Sequence, residues 1–309
     1  MAGDCEIVTA HLVDVLLSSR NGDGGWAYVP GKVSRLEPTC WALLALVDGT
    51  DQTTNDRLLR SAWTLLSHWQ QPDGLLLDVP GALPNVAFNG LAAVVLRHLL
   101  TARSTVLSRD GADVERRLLR RIVTLQGVRT RRSTLHRQNN RLIGWPWVHG
   151  TFSWVEPTTW CLLALKKARP VLTEPVGANR VNEAERLLVD RCCLSGGWNY
   201  GNSNVLGKEL YPYVPSTALS LLSLRDRRDL PEVARSLEWL RLNRARETSS
   251  MALSLALTAL AAYGEPIDDL EAAISGHIAK AGLPVNLATA ALAAYALGGA
   301  RHGFDALAA

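Results

Sequence analysis

The chain has 309 residues and a formal net charge of +4, with 47% apolar residues. That length can bury one large core or two small ones, and the mild charge implies no partner by itself. Its five cysteines, two of them adjacent at Cys192 and Cys193, exclude a disulfide framework for a chain of this size.

The first element, residues 5–20, places Ile7, His11, Leu12, Val15 and Leu16 at helical spacing between polar positions. It reads as an amphipathic helix with one solvated face. Gly25-Trp26-Ala27-Tyr28 follows, then Glu37-Pro38-Thr39, Trp41 and the apolar run Leu43-Leu44-Ala45-Leu46. Gly suits the end of one helix, and Pro suits the first position of the next. The second helix, 37–48, has too little polar punctuation for a surface helix, so other helices should enclose it. The same alternation continues with an outer helix at 54–71 and an inner one at 84–101, then 111–126 and 157–168. Between the members of the third pair lies 128–143, which carries Arg129, Arg131, Arg132, Arg137, Arg141 and His136 and no acid.

The first phrase then returns 119 residues on, as Gly144-Trp145-Pro146-Trp147, Glu156-Pro157-Thr158, Trp160 and Leu162-Leu163-Ala164-Leu165. In both copies the Glu lies eleven residues after the first Trp, and the next Trp four after the Glu. A fourth pair, 180–194 and 215–225, carries a looser copy, Gly197-Trp198-Asn199-Tyr200 with Pro215-Ser216-Thr217. There the spacer is five residues longer and Val214 replaces the Glu. The fifth pair is 230–244 and 248–263, the second of which has no charge. The sixth is 266–280 and 284–298, the latter rich in Ala. No stretch alternates as a strand would.

Internal repetition of this kind is the signature of a repeat architecture. Six hairpins with apolar inner helices either stack as an open solenoid or close into a ring. The last inner helix is too apolar to end a solenoid, which favours closure. The expected fold is all-α, an (α/α)6 toroid of six helical hairpins. It forms one domain over 1–309 with a basic insertion at 128–143 and a central cavity lined by inner-helix residues.

Gln70-Gln71-Pro72-Asp73-Gly74 and Asp23-Gly24-Gly25-Trp26 resemble degenerate forms of the repeat of squalene–hopene cyclases and protein prenyltransferase β subunits. The resemblance spans nearly the whole chain. Class II terpene cyclases carry an Asp-x-Asp-Asp-Thr acid motif at an inner-helix start. Aligned on the Thr, it places Glu37, and likewise Glu156, where the proton-donating Asp would stand. Arg35 and Pro38 fill the first and third Asp positions, a departure from the motif. Protein prenyltransferases hold zinc with an Asp, a Cys and a His from late inner helices. The fifth and sixth inner helices here contain none of these, so no metal and no cofactor are expected.

Cys40 and Cys161 fall inside apolar helices as small hydrophobes, which fits a reducing cytoplasm. The N-terminus lacks the pattern of a signal peptide. Residues 281–300 are uncharged over a span's length, but the repeat register accounts for them without lipid. A cytoplasmic protein is expected, with peripheral membrane contact as the membrane option.

Glu37 and Glu156 are the candidate catalytic residues. A partly buried carboxyl has a raised pKa and can donate a proton near neutrality. The alternative is that each carboxylate answers its helix dipole and pairs with an Arg such as Arg35. Trp41 and Trp160, one turn inside their helices, are candidates for binding an apolar or isoprenoid substrate, since ring faces stabilise cations. Trp26, Trp145 and Trp198 should instead staple adjacent hairpins. Phe88, Asn89, Thr39, Thr158, Tyr213 and Asn286 complete a candidate substrate-binding rim over an apolar well. Each polar member could equally cap a helix. The basic insertion reads either as a solvated loop or as a contact for a diphosphate or an acidic membrane surface. No nucleic-acid-binding motif appears.

Three functions remain open: a terpene-cyclase-like enzyme using carboxylic-acid protonation, a non-catalytic toroid binding a lipid or protein, and a carbohydrate-active toroid.

Overall fold

The computed structural model describes residues 2–47, 52–102, 109–169, 175–299 and 304–309. Asp48, the last residue expected in the first inner helix, and His302 lie outside them. The helices come in pairs: α1 (Ala2–Ser18) and α2 (Leu36–Val47), α3 (Gln52–Trp69) and α4 (Val86–Ala102), α5 (Arg109–Thr124) and α6 (Val155–Lys167). They continue as α7 (Pro175–Arg191) and α8 (Val214–Ser223), α9 (Pro231–Asn243) and α10 (Ser250–Tyr263), α11 (Asp268–Ala281) and α12 (Leu287–Leu297). The even-numbered helices pack in the cyclic order α2–α4–α6–α8–α10–α12 and back to α2. α1 packs on both α12 and α11, so the outer ring also closes there. This is an (α/α)6 toroid. The first five members of the inner ring are almost wholly buried on every side, and α12 buries nearly all of its eleven residues.

Two departures from the sequence expectation stand out. A small antiparallel ribbon, β1 (Asn204–Val205) and β2 (Lys208–Glu209), interrupts the all-helical pattern. In addition, α2 begins at Leu36 and α6 at Val155, ahead of the Glu-Pro step. Pro38 and Pro157 are therefore third in their helices. They still lie in the first turn, where no intrahelical bond is lost.

The Gly-Trp phrase is a two-sided clamp. Trp26, Trp145 and Trp198 are fully buried. Each indole N–H donates to a carbonyl of the preceding outer helix: Leu16 at 2.7 Å, Ile122 at 2.8 Å and Leu188 at 2.7 Å. Each Trp backbone N–H donates to a threonine Oγ1 at 3.0 Å, on Thr39, Thr158 and Thr217 respectively. In the second hairpin Leu76 stands in for the Trp and Asn89 for the Thr. The Leu76 N–H reaches Asn89 Oδ1 at 2.7 Å, and Asn89 Nδ2 donates back to the Leu76 carbonyl. The clamp also fixes the repeat register, because Thr217 matches Thr39. Pro215, and not Val214, therefore occupies the place of Glu37 in the fourth hairpin.

Two residues past the clamp, the loops of the first four hairpins each cap the inner helix of the hairpin before it. The Tyr28 carbonyl accepts from Leu287 N–H of α12 at 2.8 Å, which closes the ring. The Trp147 carbonyl accepts from Val86 N–H of α4, and the Tyr200 carbonyl from Val155 N–H of α6. In the second loop the equivalent residue is Asp78, and its side chain does this work: Oδ1 accepts from Leu36 N–H of α2 at 3.0 Å. Capping from the next hairpin explains why Trp154, at the start of α6, makes no side-chain cap of its own.

At the opposite face, residues 304–309 fold across the C-terminal ends of the inner helices. Leu307 is fully buried, the Ala309 N–H donates to the Leu222 carbonyl, and Lys167 Nζ donates to the Asp305 carbonyl. The Phe304 ring meets Tyr295 of α12 edge-on at 6.2 Å. That mouth of the ring is covered, and the N-terminal face carries the loops.

Candidate active site on the N-terminal face of the inner ring

Glu37 and Glu156 are the second residues of α2 and α6, so both carboxylates sit in a first turn on one face of the ring. At that position a carboxylate gains from the exposed N–H groups. Four residues on, Trp41 and Trp160 lie one turn deeper. They are 2% and 4% exposed, and their rings meet edge-to-face at 5.8 Å. α4 separates α2 from α6 around the ring, so these indoles meet across the interior. They form a floor beneath the acids. The close approach of α4 to α6 that allows this depends on Gly90, where a Cβ would fall 2.8 Å from that of Trp160.

The two acids have different surroundings. Tyr28 Oη donates to Glu37 Oε2 at 2.5 Å. Burial pushes the Glu37 pKa up. Hydrogen bonds from Tyr28 and Trp41 oppose that, while Asp78 adds to it and Arg35 subtracts. Arg35 does not pair with Glu37, contrary to the structural alternative above. It binds Asp78 and lies over the Tyr28 ring, 5.4 Å from its centroid. The Glu156 carboxylate has no hydrogen bond or ion pair among the described residues. Burial raises its pKa to about 7, and the charge of Glu37 contributes further. The two carboxyls therefore sense one another, and Glu156 is the one that keeps its proton near neutrality.

The other expected rim residues are placed differently. Thr39, Thr158 and Asn89 are fully buried, and their polar atoms are taken by the backbone clamp. All three, expected as substrate-binding residues, hold the clamp. Asn286 caps α12, accepting from Ala288 N–H at 3.0 Å. Phe88 is half-buried in the first turn of α4, with its N–H on Asn85 Oδ1. Tyr213 is 47% exposed at the start of α8, and its ring lies 5.1 Å from that of Tyr200. Nearby, Phe152 and Trp154 pack with ring centroids 4.8 Å apart. The N-terminal face thus carries an aromatic rim.

The sequence reading missed Asp78, which starts α2 and holds Arg35. A signal was available: aligning Leu76 with Trp26 puts Asp78 in the place of Tyr28. Among the described residues, no three His, Cys, Asp or Glu side chains converge to hold a metal. No described helix is long and apolar enough to cross a membrane.

No family model matches the chain, and no curated protein matches it. Solved structures do. A protein from Actinoplanes shares 19% identity at a TM-score of 0.60, covering 95% of this chain and 98% of its own. The GH76 α-mannanase BT2949 of Bacteroides thetaiotaomicron shares 10% identity at a TM-score of 0.66, covering 95% and 94%. A variant of the type II terpene cyclase MstE from Scytonema, in complex with its product merosterolic acid A, shares 15% identity at a TM-score of 0.64, covering 97% and 98%. The chain thus shares its toroid with a terpene cyclase and with glycoside hydrolases, and at these identities the likeness is one of fold.

Proposed function

We propose that the toroid is an enzyme that protonates an isoprenoid or similar apolar substrate at the N-terminal face, with Glu156 as the acid. The observation that carries this reading is the Glu156 carboxyl. It has no side-chain partner among the described residues, its pKa is about 7, and it stands beside Glu37 above an indole floor. A carboxyl with that pKa is about half protonated at neutral pH, near the optimum for general acid catalysis. It also surrenders the proton less readily than an ordinary carboxyl. An isoprenoid bearing an oxygen, such as a terminal epoxide, therefore matches it better than a bare alkene. Protonating the epoxide oxygen breaks its C–O bond as a neighbouring alkene attacks. The resulting cation is met by exposed rings of the rim such as Tyr200 and Tyr213, and loss of a proton from carbon to the Glu156 carboxylate restores the acid.

Glycoside hydrolysis is the second reading, since two coupled carboxyls and a mannanase-like toroid suit it. It is less favoured because Thr39, Thr158 and Asn89, the polar residues that would bind sugar hydroxyls, are occupied by the backbone. The test offers the purified protein a linear polyprene, its terminal epoxide, and α-1,6-linked manno-oligosaccharides. Cyclised product from the epoxide, lost in Glu156→Gln, is the expected result. Release of mannose, lost in the same variant, would replace the first reading with the second. Turnover of none of the three would favour a non-catalytic toroid.

A further inference from the structure

We infer that the β1–β2 ribbon and the basic insertion form one docking surface for an anionic lipid bilayer. The two are joined. The Leu206 N–H donates to the Leu135 carbonyl at 2.6 Å, His136 bridges to Val205, and Arg137 Nη2 reaches Ser203 Oγ. At the ribbon's two-residue turn, Leu206 takes a left-handed backbone at φ 52°, followed by Gly207 at 77°. Turns of this kind favour Asn or Gly at both positions. A leucine is strained there, and it is also 70% exposed. Leu135 beside it is 56% exposed, and Tyr211, just beyond the ribbon, 86%. A strained backbone that holds an apolar side chain in water needs a reason outside the fold.

The charges indicate the partner. Arg129, Arg131 and Arg132 are exposed and have no ion pair among the described residues. The acids that border the insertion and the ribbon are engaged elsewhere. Glu209 accepts from Leu194 N–H, Asp190 from Asn139 N–H and Arg191, and Glu183 from Ile143 N–H and Arg180. Unpaired arginines around projecting leucines suit an interface where anionic headgroups overlie acyl chains. A soluble diphosphate would use the arginines and leave the leucines unexplained. Docking here would hold the aromatic rim of the same face toward the lipid.

The test is co-sedimentation of the full chain with phosphatidylcholine vesicles, with and without phosphatidylglycerol. Binding should require the anionic lipid and fall as salt rises. Replacing Arg129, Arg131 and Arg132 by Gln should weaken it about fivefold per charge. Leu206→Asn is the second variant, because Asn accepts the turn's backbone. It should melt no lower than the parent yet bind about tenfold more weakly. Equal binding to neutral vesicles, or unchanged binding by Leu206→Asn, would overturn the proposal. So would displacement of the protein from vesicles by inorganic pyrophosphate at constant ionic strength, which would mark a soluble-anion site. The inference does not rest on the proposed chemistry: Glu156→Gln should bind vesicles as the parent does.

Discussion

Replacing Glu156 by Gln should stabilise the protein at pH 8 and change it little at pH 4. In the folded state this carboxyl titrates at about 7, against 4.5 when unperturbed. Below pH 4.5 both states hold the proton, and the group contributes no penalty. Between 4.5 and 7 the unfolded chain releases the proton while the folded chain keeps it. Stability therefore falls as pH rises, by about 1.4 kcal/mol per unit. Above 7 the folded state carries a buried charge whose full cost is about 3 kcal/mol over that window. Gln keeps the shape and removes the titration. It also gives up the charge's interaction with the α6 dipole, about 0.3–1 kcal/mol. The net gain at pH 8 should be about 2–3 kcal/mol, because desolvation outweighs the dipole. Urea unfolding of parent and variant at the two pH values measures the difference, and the other carboxyls cancel in the comparison. A variant less stable than the parent at pH 8, or a difference independent of pH, would refute the reasoning.

Tyr28→Phe removes a hydrogen bond that holds the Glu37 pKa down, so that carboxyl should titrate higher still; side-chain carbon NMR would register the direction. Thr158→Val strips the acceptor from the buried Trp145 N–H and should cost about 1–3 kcal/mol in chemical denaturation, whereas Thr158→Ser should cost less. Unchanged stability with altered turnover would instead return Thr158 to the substrate-binding set. Asp78→Ala uncaps α2 and leaves Arg35 without its carboxylate. A loss of about 1–3 kcal/mol should follow, with faster amide exchange at Leu36.

The ring was legible in the sequence because an enclosed helix has to be apolar on most sides. The contrast between 54–71 and 84–101, or between 230–244 and 248–263, survives any uncertainty about ends. Glu37 and Glu156 were legible because they recur in register with Trp26 and Trp145. The roles of Thr39, Thr158 and Asn89 were not, since a hydroxyl near a helix start looks alike whether it faces a ligand or a backbone amide. Their constant distance of thirteen residues behind Trp26, Trp145 and Leu76 was the overlooked sign of the clamp. Asp78 was hidden for a different reason. The first, third and fourth loops cap with a backbone carbonyl, which leaves no trace in residue type, whereas the second uses a side chain. The ribbon escaped because strands of two residues are too short to show alternation.

The most direct measurement is the protonation state of Glu156 at neutral pH, read as the infrared difference between parent and Glu156→Gln across a pH titration. A protonated carboxyl band that is absent from the variant should disappear with a midpoint near 7. In a Glu37→Gln background the midpoint should move down, because a neighbouring negative charge is removed, yet stay above 4.5 because burial remains. A parent with no such band above pH 5, or a midpoint indifferent to Glu37, would contradict an acid held ready beside a second carboxyl at the mouth of the ring.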